Sequence, residues 1–348
     1  MKKKVFFILS SLRAGGAERV FWLLSQNFDK SVYDVKLILL NSSDAFFSKS
    51  LDEVTIIDLE TGKASKSIFK LYRLLVKEKP HVVFTTGGQI NVLVAFISLF
   101  VKIPKLIARP TNQENRIFRT LKARIFESVS RVLNARFDKI ICQSKEIRSF
   151  LIEKQGIPHE KLVVLPNPVV LSNITRVSDS CGSKRLIIVA RLTAQKGIAR
   201  LLSIMSRLPE EYSLTIVGDG MLWNEIQKDI DDRKLSDRVH MLGLVTNVTK
   251  LISEHNLFVL PSFIEGFPNV IIESLSVGTP VVSFEVGGIS EIISDGFNGF
   301  IVKQGDINCF KSKIEEACDR AWDTEAIRKD IYYRFSIEKV TQQYEHLL

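Results

Sequence analysis

Pro261-Ser262-Phe263-Ile264-Glu265-Gly266-Phe267-Pro268-Asn269-Val270-Ile271-Ile272-Glu273 reads as the junction of a strand and a helix, and it decides the fold class. Ahead of it, Leu257 to Leu260 is a short apolar run of the kind a buried parallel strand shows. Pro261-Ser262 ends that run, and Pro268 stands where a helix begins, because its fixed φ suits the first helical position. Gly278-Thr279-Pro280 stops the helix. Val270, Ile271, Ile272, Leu275 and Val277 make it apolar nearly all round, which predicts burial. Glu273 lies inside it, and a buried carboxylate is costly unless it is paired or hydrogen-bonded. The spacing puts Glu265 on the loop and Glu273 one turn into the helix. Both then face the crevice at the carboxyl ends of a parallel sheet, where such folds bind ligands. The competing assignment has Glu273 bridged to a lysine or arginine and Glu265 solvated.

Outward from this stretch, short apolar strands alternate with helical segments, the α/β pattern. Strands are predicted at 4–10, 35–40, 54–59, 82–86, 105–108, 139–143 and 162–165, and again at 185–191, 213–217, 239–242, 257–260, 280–284 and 300–302. Pro166-Asn167-Pro168 and the serine-rich stretch 171–183 read as a linker. The 348 residues suit two domains, each able to bury its own core. With 45% apolar and 25% charged residues the composition is that of a soluble globular protein. The start, Lys2-Lys3-Lys4 followed by Val5 to Leu9, is too short in apolar length for a secretory signal and reads as a first strand. The run 92–101 is about half of what spans a bilayer. Cys142, Cys181, Cys309 and Cys318 show no paired spacing and read as free thiols of a reducing cytoplasm.

Three other loops carry chemistry. Arg13-Ala14-Gly15-Gly16-Ala17-Glu18-Arg19 follows the first strand. Its paired glycines admit either a closely approaching ligand or a tight turn with Glu18 complementing the helix dipole. The second, from Arg191 to Lys196 and Gly197, follows strand 185–191. Residues 180–209 hold 6 Lys+Arg and no Asp or Glu, so neither Arg191 nor Lys196 is expected to be neutralised locally. Two cations beside a helix N-terminus suit a diphosphate. The third, Gly218-Asp219-Gly220, lacks the third glycine and the later acid of a dinucleotide fingerprint, which makes a nicotinamide cofactor a poor fit. Gly287-Gly288 is one more close-approach loop. The only Asp-x-Asp, Asp229-Ile230-Asp231, sits in a polar helical stretch, and the five histidines are scattered, so no metal site is expected. No Ser-His-Asp or Cys-His arrangement is visible.

The Glu265/Glu273 pair within Glu-Gly-Phe-Pro, together with Gly-Gly-Ala-Glu-Arg at 15–19, resembles the signature of glycosyltransferase family 4, and the likeness runs almost end to end. It implies the GT-B architecture: two Rossmann-like doubly wound domains facing each other across a cleft. Residues 1–168 would be the acceptor-side domain, with a helix at about 333–348 crossing back to it, and 169–332 the donor domain. The resemblance implies a retaining transferase that moves a sugar from a nucleoside-diphosphate donor, UDP ahead of GDP, with no cofactor or metal. The acceptor would be a lipid-linked glycan of surface-polysaccharide assembly. It gives Arg191, Lys196 and Glu265 the catalytic roles. Gly15, Gly16, Gly218, Gly243, Gly266, Phe267, Pro268, Asn269 and Glu273 would help hold the donor. Arg13, Glu18, Arg109 and Asn112 would stand on the acceptor side. Many relatives carry a histidine after the fifth strand; here Ala108-Arg109-Pro110-Thr111-Asn112 has none. Two rivals share the fold class: a sugar-nucleotide epimerase, which needs an enclosed acid/base set, and an inactive partner subunit, against which the intact motif argues.

Charge adds a partner. Residues 1–170 hold 28 Lys+Arg against 15 Asp+Glu, whereas the rest holds 20 against 24. That asymmetry points to an anionic surface facing the first half. Without an aromatic-basic platform, nucleic acid is a poor fit. The expectation is a monomer held peripherally on the cytoplasmic face of the plasma membrane. Residues 116–136 read as a helix with Phe118, Leu121, Ile125, Val129 and Val132 at core-like spacing and Arg116, Arg119, Lys122, Arg124, Arg131 and Arg136 on its other positions.

Overall fold

The computed structural model describes residues 1–48, 53–110, 121–176 and 184–348, with backbone alone for 121–124 and 127. Asn112, Arg116, Phe118, Arg119, Cys181 and the side chains of Leu121, Lys122 and Arg124 lie outside the described residues. The chain divides into two compact units, residues 1–168 with 337–348, and residues 169–336.

The first unit runs β1 (Lys3–Leu9), α1 (Gly16–Asn27), β2 (Tyr33–Leu39), β3 (Thr55–Asp58), α2 (Ala64–Glu78), β4 (Val82–Thr86), α3 (Gly88–Ile97), β5 (Lys105–Arg109), α4 (Leu121–Leu133), β6 (Lys139–Cys142), α5 (Lys145–Gln155) and β7 (Leu162–Val164). Its seven strands form one parallel sheet in the order β3-β2-β1-β4-β5-β6-β7. A parallel sheet needs cover on both faces, which is why its strands read as continuous apolar runs. Phe6, Ile8 and Val83 face a core closed by α2, α3 and α5. Phe7, Phe84 and Ile107 face the other, closed by α1 and the last helix, α12 (Ile337–Glu345). Phe84 sits 4.9 Å from Phe7 and 5.7 Å from Tyr344 by ring centroids, so the final helix completes this core. Local signals set the helix ends: the Ser144 side chain caps α5 by accepting from the Ile147 amide, and Gly156 ends it in the left-handed region.

The second unit runs β8 (Lys184–Val189), α6 (Ile198–Met205), β9 (Tyr212–Val217), α7 (Trp223–Asp232), β10 (Val239–Gly243), α8 (Val248–Ser253), β11 (Leu257–Leu260), α9 (Asn269–Ser276), β12 (Val281–Phe284), β13 (Gly299–Val302), α10 (Ile307–Asp319) and α11 (Thr324–Phe335). The sheet is again parallel, ordered β10-β9-β8-β11-β12-β13, so the strand order reverses where β8 meets β11. Both units are doubly wound and Rossmann-like.

Two expectations need correction. The second unit ends at Ser336, not near 332, because α11 stays with it: Phe335 packs on Phe267 with ring centroids 5.8 Å apart. The helix expected at 116–136 is described over Leu121–Leu133, and Ile125, Val129 and Val132 are exposed rather than in the core. Helical spacing reveals an apolar stripe but not what covers it.

Candidate active site

In the second unit the predicted donor residues gather at the carboxyl ends of β8 and β11, on either side of the strand-order reversal. The loop after β8 carries Arg191 and Lys196; the loop after β11 carries Glu265. Several contacts stitch these loops together. The Phe263 amide donates to the Gln195 carbonyl at 2.8 Å. Lys196 Nζ donates to Glu265 Oε1 at 2.7 Å. Gly197, at φ +67°, lets the start of α6 lie against the Pro261 carbonyl, which a Cβ would meet at 2.1 Å. A side chain there would therefore push the two loops apart.

Lys196 has no neutralising acid nearby in the sequence, as expected, yet the fold pairs it with Glu265. β11 lies beside β8 and brings this acid from 69 residues away. The Glu265 side chain is only 9% exposed and that of Lys196 25%, so the pair is largely desolvated. Arg191 behaves as expected: it is exposed, and among the described residues its guanidinium has no ion pair or hydrogen bond.

Glu273 is buried on α9, 5% exposed. Phe267 is buried with it, and Pro268 occupies the N-cap position of α9 without a side-chain cap. Gly287 and Gly288 do not await a ligand: Gly287, at φ +54°, lies against the Glu265 carbonyl, and the Gly288 amide donates to the Gly266 carbonyl at 2.7 Å. They fix the Glu265–Gly266 backbone. Gly218, similarly, packs on the Ala190 carbonyl, where a Cβ would sit at 2.0 Å. Gly243 differs, being left-handed (φ +70°) with open space around it and exposed Leu242 and Leu244 on either side.

Sequence reading passed over Arg200 on α6. It donates to the Pro261 and Ser262 carbonyls and to Gln304 Oε1, the last at 2.5 Å, while its guanidinium stacks on Phe263 and Phe284 at 3.9 Å. Desolvation brings its pKa down to about 10, still leaving it charged at neutral pH. It fastens the strand end from which Glu265 hangs. The only signal for it was its place among six basic residues without an acid.

In the first unit the acceptor-side residues meet different fates. Arg13 pairs with Asp44 at 2.5 Å, both well exposed, a surface pair of little energetic weight. The Glu18 carboxylate folds back over Gly15, where any Cβ would meet it at 2.2 Å. Gly15 makes room for Glu18 at the start of α1, and Gly16 begins the helix. Arg109 is buried, 3% exposed, with Nη2 donating to Asn167 Oδ1 and Nε without a partner among the described residues. Burial pushes its pKa down, opposed by Tyr344 and Glu18. Thr86, Arg109, Gln143 and Asn167 are all buried at the carboxyl ends of β4 to β7, a polar edge on an otherwise apolar sheet. Thr86 Oγ1 also lacks a partner.

Among the described residues no group of three His, Cys, Asp or Glu could hold a metal ion, and Asp229 of the Asp-x-Asp is paired with Arg233 at 2.8 Å. No helix among them is long and apolar enough to cross a membrane.

Comparison with known proteins bears on both units. Residues 14–173 match the model "Glycosyltransferase Family 4", and residues 176–332 match "Glycosyl transferases group 1". The chain is 26% identical, over 90% of its length and 88% of the other's, to the α-1,4-N-acetyl-D-galactosaminyltransferase of Campylobacter jejuni that acts on GalNAc-GalNAc-diNAcBac-PP-undecaprenol. It is likewise 26% identical, over 87% of its length and 85% of the other's, to an Escherichia coli UDP-Gal:α-D-GlcNAc-diphosphoundecaprenol α-1,3-galactosyltransferase. The crystal structure of Anabaena Alr3699/HepE with UDP and glucose superposes with a TM-score of 0.83 at 20% identity, over 99% of this chain and 98% of that one.

Proposed function

The chain belongs to glycosyltransferase family 4, its first unit matching the family 4 model and its second the group 1 model, and on that premise we propose that it is a retaining, metal-independent hexosyl- or N-acetylhexosaminyltransferase. The donor is a nucleoside-diphosphate sugar, UDP ahead of GDP. The acceptor is a hydroxyl of a lipid-linked glycan in surface-polysaccharide assembly, reached by peripheral attachment to the cytoplasmic face of the plasma membrane. The free Arg191 guanidinium at the strand-order reversal carries this reading, because an uncommitted cation beside a desolvated Lys196–Glu265 pair suits a departing diphosphate. The two relatives acting on diphosphoundecaprenol-linked glycans support the acceptor class.

Each residue then has a task. Arg191 and Lys196 take the charge that grows on the diphosphate as the anomeric C–O bond breaks. Glu265, held by Lys196 and by the Gly287–Gly288 turn, accepts from sugar hydroxyls. Glu273 accepts from the ribose. Gly243, with open space over its backbone, admits the base. The acceptor hydroxyl attacks the anomeric carbon on the face the diphosphate leaves, its proton passes to the departing phosphate oxygen, and configuration is retained. Glu18 and the Thr86–Arg109 edge face the acceptor.

Nucleotide release from a panel of UDP- and GDP-sugars, with membrane lipid extract as acceptor, tests the assignment. NMR of an early product should show the donor's anomeric configuration. An inverted product refutes the mechanism; release with no donor refutes the transferase.

A further inference from the structure

The first unit presents an apolar face that its own fold does not cover. On α2, Phe69, Tyr72 and Val76 form a stripe directed away from the buried Leu71 and Leu75, and Phe69 is 77% exposed. Phe96 at the end of α3 and Leu99 and Phe100 just beyond it form a second stripe, with Phe96 and Phe100 in edge contact at 5.5 Å and Phe100 67% exposed. Ile125, Val129 and Val132 form a third on α4, Val132 being 74% exposed. α3 packs against both α2 and α4, so the stripes are neighbours. Arg136 fastens the arrangement by donating to the Ser98 carbonyl at 3.0 Å. A monomeric soluble protein seldom leaves so much contiguous apolar area in water.

Charge selects the occupant. Residues 63–136 hold 15 Lys+Arg and 3 Asp+Glu. Of the three acids, Glu78 is turned inward, paired with Lys36 at 2.7 Å and Lys4 at 3.1 Å, and its pKa is lowered by those two lysines. On α2, Lys66, Lys70, Arg73 and Lys77 are exposed beside the apolar stripe. A second copy of this face would set cation against cation. Apolar side chains rimmed by lysine and arginine fit an anionic bilayer, in whose headgroup layer such helices bury their apolar side.

We propose that α2, α3 and α4 form a platform that seats in an anionic phospholipid leaflet, with Phe69, Phe100 and Val132 entering the acyl boundary. The platform rests on the lipid-linked acceptor proposed above and names the membrane partner of that reaction. It also alters the expected salt response. A purely electrostatic contact is released as salt screens it, whereas inserted aromatic and aliphatic side chains are not screened. Binding should therefore fall with salt to a plateau above zero.

Phe69→Ser/Phe100→Ser/Val132→Ser tests this in the full chain, by co-sedimentation with phosphatidylethanolamine–phosphatidylglycerol vesicles and with phosphatidylcholine vesicles. All three side chains are exposed, so the variant should fold as the parent, checked by circular dichroism. The parent should bind the anionic vesicles and keep a salt-resistant fraction; the variant should lose that fraction, its partition falling about tenfold or more. Lys66→Glu/Arg73→Glu should remove the salt-sensitive part alone. Both variants should keep parental nucleotide release from donor and water-soluble acceptor, which separates failure of the platform from failure of the transferase. Parental binding by the triple variant, no parental binding to anionic vesicles, or a dimer that the triple variant dissolves in sedimentation velocity would each overturn the platform.

Discussion

Arg191, Lys196 and Glu265 differ in their surroundings in a way that separates binding from folding. Lys196→Ala leaves the Glu265 carboxylate, 9% exposed, without its cation. Stripping one partner from a buried pair costs about 3–5 kcal/mol, and with some solvent contact remaining the lower end, about 3 kcal/mol, applies. For a unit of this size, residues 169–336, each kcal/mol lowers Tm by roughly 2–4 °C, so the fall should be about 6–12 °C. Glu265→Gln is milder, since Lys196 is 25% exposed and can turn to water; about 1 kcal/mol and at most about 4 °C is expected. Arg191→Ala touches nothing in the free protein and should shift stability by no more than about 0.5 kcal/mol. Donor affinity should behave otherwise. Arg191→Ala and Lys196→Ala each remove a charge-assisted contact of about 1.5–3 kcal/mol, weakening the donor roughly ten- to a hundredfold or more. Calorimetric unfolding and isothermal titration with the nucleoside diphosphate measure both sides. Full donor affinity in Arg191→Ala would refute the diphosphate assignment; equal Tm losses in Lys196→Ala and Glu265→Gln would refute the burial argument.

Glu273→Gln should weaken the nucleotide itself, UDP as much as UDP-sugar, whereas Glu265→Gln should weaken the sugar nucleotide and leave UDP nearly unchanged; titration with both ligands decides. Transfer should survive EDTA, and complete inhibition reversed by Mg²⁺ would end the metal-independent proposal. His255 gives a pH signature in stability. Its Nδ1 donates to the Leu251 carbonyl at 2.7 Å and its Nε2 accepts from the Thr215 hydroxyl at 2.8 Å, so the ring is held neutral, and burial lowers its pKa below the ordinary 6.5. The unfolded chain therefore takes up the proton first, and stability should be full above 6.5 and decline as pH falls through the window below it. A pH series of Tm should show that slope in the parent and a shallower one in His255→Gln; identical slopes would sink the idea.

The strand plan was legible because parallel strands covered on both faces must be continuously apolar, and all thirteen predicted strands appear within two residues of the expected ends. Glu265, Arg191 and the helix at Asn269–Ser276 were legible because proline and glycine punctuate that loop so closely. The Lys196–Glu265 pair was not, since no local spacing reports a partner that strand order alone brings near. The roles of Gly197, Gly218 and Gly287 were only partly legible: the sequence marked Gly287 as a close-approach position, but the neighbour in each case is a carbonyl of another loop or strand end.

The same distinction explains why the two units differ in what their sequences reveal. Donor chemistry falls on strand ends where glycine, proline and a few charges are demanded by backbone approach, so it leaves local marks. The acceptor edge is assembled from side chains whose setting is decided by segments far apart in the chain. Arg109 illustrates this. In the sequence, Ala-Arg-Pro follows a strand where many relatives carry a histidine, and nothing local says whether Arg109 is buried. In the fold it is buried, tied to Asn167 at the end of the first long segment of the unit and set beside Tyr344 on the returning helix. Its Nε and the neighbouring Thr86 hydroxyl stay unbonded among the described residues. The contribution of Arg109 to transfer is therefore better sought in the positioning of that polar edge than in direct attack chemistry.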